Sequence, residues 1–322
     1  MKFYCKQKAI EIINQYQKQK EKFLFVIDFE MDKIIVEKIS NIDSNELLFD
    51  FEGFSNKKNI EISKKIDFET EKIDFERYKN KFDFVLENIL AGNTYLLNLT
   101  ERIGIKSSLD LKNIFYLSNA KYKLWLNDEF VFFSPEIFVK IKDNKISSFP
   151  MKGTIDANIK NAEDIILHNE KELAEHYTIV DLIRNDLSIV ATNVDVKRFR
   201  YIDRLKTSRN DILQVSSEIS GNVRENIGLG DLIFSLLPAG SISGAPKKKT
   251  VEIIQDIEKI KRGYYTGVSG IFDGENLNSC VNIRFIEKDN GNFFYRSGGG
   301  ITFKSNVEEE YKEVTQKVYI AL

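Results

Sequence analysis

The chain of 322 residues is poor in cysteine and histidine, with two of each. Cys5 and Cys280 form no Cys-x-x-Cys pair, so the sequence does not indicate a disulfide framework. The longest apolar run, residues 23–27, has the length of a strand and is far too short to span a membrane. The first six residues contain no apolar segment of the secretory type. We therefore expect a cytoplasmic protein without a membrane-spanning segment.

The chain also lacks an excess of either charge. Its 47 basic and 49 acidic residues leave a formal net charge of -2, which gives no electrostatic reason to expect nucleic acid or an anionic membrane as a partner. The apolar content of 42% and the charged content of 30% are ordinary for a soluble globular enzyme. The length suffices for one large core or two medium ones, and no internal repeat interrupts it.

Hydrophobic periodicity indicates many short strands and a few helices. Helical spacing is present at 77–90, 162–184 and 246–262 and from about 306, and strand patterns are present at 23–36, 95–100, 122–126, 129–133, 137–141, 145–149, 264–272, 278–287 and 292–297. Antiparallel strands interrupted by single helices predict an α+β fold with a large antiparallel sheet core. The charged stretch 41–75 predicts a boundary between a short N-terminal segment, 1–75, that packs on the core and a main domain, 76–322.

One lysine stands out because of the motifs that follow it. Lys152 lies in Pro150-Met151-Lys152-Gly153-Thr154, where an exposed amine is ordinarily a solvated surface group but becomes a nucleophile when neighbours lower its pKa. Downstream the chain contains Glu175-His176, Asp181-Leu182-Ile183-Arg184-Asn185-Asp186, Pro238-Ala239-Gly240-Ser241-Ile242-Ser243-Gly244-Ala245-Pro246-Lys247, Tyr265-Thr266-Gly267, Arg284, Ser297-Gly298-Gly299-Gly300 and Glu310-Tyr311-Lys312-Glu313.

This ordered set resembles the chorismate-utilising enzymes, which include the anthranilate, aminodeoxychorismate, isochorismate and salicylate synthases. The resemblance covers about residues 78–322. It implies a two-layered β-sandwich with helices packed outside, and a chorismate-binding catalytic role for the main domain. Within this family a lysine in the Pro-x-Lys-Gly-Thr motif is typical of aminodeoxychorismate synthase component I, whereas anthranilate synthases have alanine there.

Four glutamates are candidate magnesium ligands. Glu172 and Glu175 lie three residues apart in a predicted helix, and Glu310 and Glu313 share a face of the final helix. An isolated pair of this kind is usually a solvated acidic face, although carboxylates without a His or Cys cluster do favour Mg²⁺. The resemblance implies that Glu175 and Glu313 bind Mg²⁺ and that Glu310 and Glu172 support them.

The resemblance also assigns the two catalytic groups. Glu136 matches the family glutamate that protonates the departing C4 hydroxyl of chorismate, and burial near Phe133 and Phe138 could raise its pKa as this role requires. Lys152 matches the lysine that attacks C2, after which ammonia attacks C4 and displaces it, giving 4-amino-4-deoxychorismate.

The remaining matches concern the substrate. The guanidinium of Arg284 suits bidentate carboxylate binding, although a strand-edge salt bridge is the ordinary role of an isolated arginine. The sequence Ser243-Gly244-Ala245-Pro246 precedes a predicted helix and suggests an anion-facing N-terminus. The resemblance adds further substrate contacts from Tyr265, Lys317, Thr154, Gly298, Gly299 and Gly300, and we interpret Asp181, Arg184, Asn185 and Asp186 as structural.

Two positions depart from the family pattern. Gln214 stands where the family has a histidine tied to pyruvate elimination, which weakens any aromatising reaction. Leu96 stands where ammonia-using relatives have Gln and water-using relatives have a general-base Lys, so activation of water is not expected.

The sequence therefore favours a magnesium-dependent aminodeoxychorismate synthase component I, on the route to p-aminobenzoate and folate. Its expected substrates are chorismate and ammonia, the latter delivered by a separate glutamine amidotransferase subunit. Anthranilate synthase component I remains the alternative. A catalytically silent chorismate-fold binding subunit remains a further one.

Overall fold

The computed structural model describes residues 1–58, 60, 68–205 and 211–320. Among these residues the helices are α1 (Lys6–Lys18), α2 (Phe75–Leu90), α3 (Leu111–Leu117), α4 (Ala162–His168), α5 (Glu170–Val190), α6 (Leu229–Ser235), α7 (Gly240–Ser243), α8 (Lys247–Glu258) and α9 (Val307–Gln316). No helix in this part of the chain is long and apolar enough to cross a membrane.

Two large antiparallel sheets form the framework. Their strands are β1 (Phe23–Ile27), β2 (Ile35–Lys38), β3 (Leu47–Phe51), β4 (Phe54–Ser55), β5 (Phe68–Thr70), β6 (Leu96–Ser107), β7 (Tyr122–Leu126), β8 (Phe130–Ser134), β9 (Ile137–Lys142), β10 (Lys145–Ser148), β11 (Met151–Asp156), β12 (Ala191–Leu205), β13 (Ile212–Val223), β14 (Gly244–Ala245), β15 (Val268–Phe272), β16 (Leu277–Val281), β17 (Phe285–Asp289) and β18 (Asn292–Ile301). The first sheet has the order β11-β13-β10-β9-β16-β15-β1-β2, with β12 beside β13. The second has the order β14-β6-β18-β17-β8-β7-β3-β4, with β5 beside β6. The predicted α+β architecture is confirmed.

The segment before residue 75 contributes strands to both sheets. Strand β1 pairs with β15 in the first sheet, and β3 pairs with β7 in the second. Every residue of β1 is buried, because alternate side chains of a strand point to opposite faces and both faces of this one are covered. Leu24 and Val26 join Phe49 and Phe132 of the second sheet in one apolar cluster, while Phe23 and Phe25 pack on the opposite face.

Several predicted element boundaries were wrong for local reasons. The helix predicted at 162–184 is two helices, because Asn169 ends α4 and its side chain caps α5 by accepting from the Glu172 amide. The helix predicted at 246–262 ends at Glu258, where Lys259 adopts a left-handed backbone conformation. The strand predicted at 278–287 is two strands, since residues 282–284 leave the sheet between β16 and β17. Asp143 and Asn144, both with positive φ, form the turn that joins β9 to β10.

Candidate active site

The amine of Lys152 makes an ion pair with a glutamate of helix α5. Strand β11 presents Lys152 toward α5, and its Nζ donates a hydrogen bond of 2.9 Å to Oε2 of Glu175. The Asn169 cap fixes the start of α5, so that Glu175 and Glu172 lie in its first two turns. The lysine and the glutamates that the sequence analysis singled out separately are therefore neighbours in the fold.

The electrostatic surroundings of Lys152 favour its charged form. Burial by itself lowers the pKa of a lysine, because the ammonium loses its hydration. The negative charges of Glu175, Glu313 and Glu172 outweigh this effect, and the pKa of Lys152 is raised. In this arrangement the amine is protonated at neutral pH. It becomes a nucleophile only after losing that proton.

The glycines of β18 give the carboxylates and the lysine room to approach the backbone. A Cβ atom added at Gly299 would lie 3.4 Å from Oε2 of Glu310 and 3.9 Å from Oε1 of Glu313. A Cβ atom added at Gly300 would lie 3.5 Å from Nζ of Lys152. Larger residues at these positions would crowd the polar groups, so the glycines provide open backbone beside the lysine.

The other three glutamates singled out from the sequence also have defined neighbours. A Cβ atom added at Gly153, whose φ of +85° is in the left-handed region, would lie 3.3 Å from Oε2 of Glu172. Glu310 is buried and accepts a 2.8 Å hydrogen bond from Ser305. Glu313 pairs with Nζ of Lys317 at 2.5 Å. Helices α5 and α9 therefore bring two carboxylates each to the cleft around Lys152.

The donor chemistry of this cleft fits a magnesium ion. Mg²⁺ ordinarily takes one or two protein carboxylates and completes its shell with water and substrate oxygens. Glu175 and Glu313 come from opposite helices, act on the same lysine amine and each hold a lysine as partner. Among the described residues, no group of three or more His, Cys, Asp or Glu side chains is close enough together to hold a metal.

Glu136 lies in the short link between β8 and β9 and faces three cations. Its side chain is partly buried, and loss of hydration raises the pKa of its carboxyl, the direction that was predicted. A hydrogen bond of 2.5 Å from the Ser241 hydroxyl to Oε1 opposes the rise, as do the positive charges of Lys152 and other basic groups. The net effect is a raised pKa, which suits a group that must carry a proton at neutral pH.

Two basic residues near Glu136 lie at the ends of elements, one before a strand and the other after a helix. Arg284 precedes β17 with a φ of 53°, an unusual backbone conformation for a residue with a side chain. Its guanidinium donates to the carbonyl oxygen of Lys317 at 3.2 Å and lies over the ring of Tyr319. Lys317 follows α9, and its Nζ also donates to the carbonyl oxygen of Gly298 at 3.2 Å. Both residues act on the Glu136 carboxyl, so the structure brings them together with the acid.

The other predicted substrate contacts lie at different depths. Tyr265 is buried near Arg284, and burial raises the pKa of its phenol to about 12. Ser243 is fully buried and donates to the carbonyl oxygen of Ala239. Thr154 is exposed on β11, where it lies opposite Gln214 of β13. Because the hydroxyl of Ser243 is enclosed and already bonded to the backbone, it is not presented to a substrate in this structure.

The two departures from the family pattern both lie in or near this cleft. Leu96 is buried, and its Cδ1 lies 3.1 Å from the Cβ position of Gly300, beside the Lys152 amine. Gln214 is buried next to the lysine strand, and no histidine ring takes its place there. His176, one residue after Glu175, is instead directed to the Ser217 hydroxyl at 2.7 Å.

Sequence reasoning missed two residues that support the site. Ser241 lies within the quoted segment 238–247, yet only the structure shows its hydrogen bond to Glu136. Arg262 is 1% exposed and donates to Glu258 and to the carbonyl oxygens of Ile242 and Asn98. It therefore connects α8, α7 and β6. In the sequence, its position three residues before Tyr265 was the feature that could have identified it as a supporting residue.

Of the four residues that were interpreted as structural, Asp186 connects two elements of the fold and the other three lie exposed. Asp186 accepts from Nζ of Lys247 at 2.9 Å and so connects α5 to the start of α8. Asp181, Arg184 and Asn185 are exposed on α5.

Comparison with known proteins identifies the family of this chain. A family model described as chorismate binding enzyme matches residues 3–322. The chain is 51% identical over 321 residues to an uncharacterized PabA-like protein of Haemophilus influenzae, covering 98% of this chain and 97% of that protein. It is 32% identical to anthranilate synthase component 1 of Acetivibrio thermocellus and 31% identical to aminodeoxychorismate synthase component 1 of Bacillus subtilis. Both matches cover 73% of this chain, and they cover 50% of the first relative and 52% of the second.

Solved structures show the same fold. MenF, the menaquinone-specific isochorismate synthase of Escherichia coli, superposes with a TM-score of 0.78 at 15% identity, covering 98% of this chain and 82% of that one. Anthranilate synthase component I of Streptococcus pneumoniae superposes with a TM-score of 0.68 at 24% identity, covering 79% of this chain and 58% of that one. On the family match and these relatives, the chain belongs to the family of chorismate binding enzymes.

Proposed function

We propose that the protein is the synthase subunit that converts chorismate and ammonia into 4-amino-4-deoxychorismate. The observation that carries the proposal is the position of the Lys152 amine. It lies against open glycine backbone, is paired with Glu175, and acts electrostatically on the Glu136 carboxyl. A nucleophile and an acid in one cleft are what the substitution of a hydroxyl through a covalent intermediate requires.

The proposed reaction balances with these two groups. Once unprotonated, the Lys152 amine forms a bond to C2 while the C4 hydroxyl leaves as water with the Glu136 proton. Ammonia then bonds to C4 as the bond between C2 and the lysine nitrogen breaks. The surplus proton on the new nitrogen returns to Glu136. The net change is the replacement of hydroxyl by amine with release of water.

The charged residues around the cleft would hold the substrate during these steps. Arg284 and Lys317 offer cationic donors to carboxylates of chorismate. Glu175 and Glu313 would hold magnesium, which when bound supplies positive charge to a substrate carboxylate. The Lys152 proton has a nearby acceptor in Glu175, at 2.9 Å.

Anthranilate synthesis is the second candidate, because the two kinds of curated relative match the chain almost equally well, at 32% and 31% identity. Two residues speak against it. Lys152 would itself bond to C2 in the proposed reaction, where anthranilate synthases have alanine according to the resemblance, and Gln214 lacks the imidazole that the resemblance associates with pyruvate elimination.

Product identification separates the two reactions. The purified chain should be incubated with chorismate, Mg²⁺ and ammonium salt, and its products analysed by mass spectrometry with and without an added lyase. We expect 4-amino-4-deoxychorismate, which the lyase converts to p-aminobenzoate. Anthranilate as the main product would establish the second candidate. Chorismate binding without turnover over hours would indicate a silent subunit.

We also propose that a separate glutamine amidotransferase delivers ammonia in the cell. The support is indirect, since it comes from the chemistry expected of this family. Adding such a subunit should allow glutamine to replace ammonium salt in the same assay.

A further inference from the structure

A small cavity of about 20 Å³, room for one molecule the size of water, is lined in part by Glu136. Its walls come from α5, from the segment between α6 and α7, and from β9 with the end of β10. Most of the lining is apolar and includes Phe138, Val139, Ile183, Leu187 and Leu236. Such a lining disfavours a charged occupant, since an ion moved into apolar surroundings loses its hydration.

The polar groups in the lining are mostly engaged elsewhere. Ser148 donates to the carbonyl oxygen of Phe138, and Asp186 is paired with Lys247. Ser241 donates to Oε1 of Glu136, and among the described residues Oε2 of Glu136 has no hydrogen-bond partner. The carboxyl of Glu136 is therefore the polar group best placed to bind a small molecule in the cavity.

Glu136 borders both the cavity and the catalytic cleft. Glu136 is one of the residues that line the cavity, and its carboxyl experiences the charges of Lys152, Lys317 and Arg284 from the cleft. Pro150, two residues before Lys152, belongs to the cavity lining as well. In the proposed reaction, a molecule held here would lie beside the residue that gives its proton to the C4 hydroxyl.

We infer that this cavity binds neutral ammonia and holds it beside Glu136 for attack on C4. The inference rests on the proposed function, because it names the place from which the second substrate enters the reaction. Ammonia has about the size of water and is uncharged, so it suits apolar walls with one polar group, while ammonium does not. As the new C–N bond forms, the carboxylate left after hydroxyl departure accepts the surplus proton.

A variant that fills the cavity provides the test. Ile183→Phe adds bulk to the lining from α5, and Ile189→Phe makes the same change on an exposed side of that helix as a control. We expect Ile183→Phe to raise the KM for ammonium at least tenfold and to leave the KM for chorismate within about twofold. The control should match the wild type in both. An unchanged KM for ammonium in the filled variant would overturn the inference.

The covalent half-reaction separates this inference from the proposed function. Without ammonium, wild type and Ile183→Phe should form the Lys152 adduct with chorismate at similar rates, measured as the added mass of dehydrated substrate. If the wild type forms neither adduct nor aminated product, the proposed function fails. If both proteins form the adduct and respond equally to ammonium, the cavity assignment alone fails.

A second variant works in the opposite direction and guards against misfolding of the first. Leu187→Ala enlarges the cavity. We expect it to raise the use of methylamine relative to ammonia at least fivefold, measured as the ratio of the two amine products by mass spectrometry. An unchanged ratio, with adduct formation intact, would contradict the inference, because the cavity would then not determine which amine reacts.

Discussion

At the scale of single residues, Lys152 and Glu136 both retain protons more strongly than free side chains do, but for different reasons. Burial raises the pKa of Glu136, because the carboxylate loses hydration that its neighbours only partly replace. For Lys152, nearby carboxylates outweigh the opposite effect of burial. The raised pKa of Glu136 favours the protonated form that the proposed acid needs, whereas Lys152 must release a proton before it can act as the proposed nucleophile.

Replacing Lys152 by alanine tests the covalent step. Lys152→Ala should abolish the chorismate adduct and lower formation of 4-amino-4-deoxychorismate by roughly two orders of magnitude or more. Magnesium and chorismate binding should survive, since Glu175, Glu313 and Arg284 are unchanged. Mass spectrometry of the peptide and of the products measures both effects, with the exposed Lys160→Ala as control. An alanine variant with the wild-type rate would rule out the covalent role and leave the family membership intact.

Some attack of ammonia at C2 is possible in that variant, because alanine is the residue that anthranilate synthases have there. Any 2-amino-2-deoxyisochorismate formed should convert poorly to anthranilate, because Gln214 has no imidazole.

Ser241 allows a test of the acid through its pH dependence. Its hydroxyl stabilises the Glu136 carboxylate, so Ser241→Ala should raise the pKa of Glu136 further. Adduct formation requires protonated Glu136. The pH above which its rate falls should therefore move upward, by roughly one unit. Ser241→Thr keeps a hydroxyl and serves as the control. A limit that stays in place or moves to lower pH would contradict the assignment of Glu136 as the acid.

At the scale of elements, a strand could be predicted where its own residues define it and could not be predicted where pairing across the sheet stabilises it. Strand β7 was predicted with its observed bounds, because its residues, apart from Lys123, are apolar or aromatic and lie between the polar Lys121 and Asn127. The long strands β12 and β13 were not predicted. Charged residues such as Asp195, Lys197 and Arg198 interrupt the apolar pattern of β12, and its pairing with β13 contains three irregularities in register. Pairing across the sheet, which the sequence pattern does not display, stabilises such strands.

The candidate site shows the same division between local and long-range information. The resemblance identified Lys152, Glu136 and the four glutamates, but their convergence depends on how α5 and α9 pack on the sheets. Ser241 and Glu136 are 105 residues apart and meet only in the folded chain. Neither periodicity nor composition could have predicted that contact.

Arg262 should matter more for the arrangement of elements than for the chemistry. It pairs with Glu258 inside the protein and donates to backbone carbonyl oxygens of β6 and of α7. Arg262→Met leaves the Glu258 carboxylate buried without its partner and should cost about 3–5 kcal/mol of unfolding free energy, measured in urea. The double variant Arg262→Met with Glu258→Met should recover part of this loss. Equal stability of wild type and Arg262→Met would show that the network is not structural support.

At the scale of the whole molecule, the two sheets enclose an apolar layer, and the helices that carry the candidate site pack outside it. Residues of β1, β3 and β8 meet in that layer. Helices α5 and α9 each direct two glutamates to the cleft, and they are far apart in the chain. The cleft therefore depends on the complete fold, and loss of global stability should remove activity before the chemistry of any single residue is changed.

Whether the chain can release ammonia from glutamine depends on the surroundings of its cysteines and histidines. Glutamine hydrolysis of the amidotransferase type needs a cysteine thiolate with an adjacent histidine. Cys280 is fully buried with a strongly raised thiol pKa, which makes its thiolate inaccessible and unfavourable. Cys5 is exposed, but the histidine rings bond instead to Ser217 and to the carbonyl oxygen of Asp164.

We therefore expect the purified chain to aminate chorismate with ammonium salt and not with glutamine. The relevant species with ammonium is neutral ammonia, so at a fixed ammonium concentration the rate of the amination step should rise with pH. Stopped-time assays of product, with glutamine freed from contaminating ammonium, measure both properties. A Cys5→Ser and Cys280→Ser variant should behave like the wild type with ammonium. Turnover with glutamine alone at the ammonium rate, lost in that variant, would show that this chain generates its own ammonia and needs no separate amidotransferase.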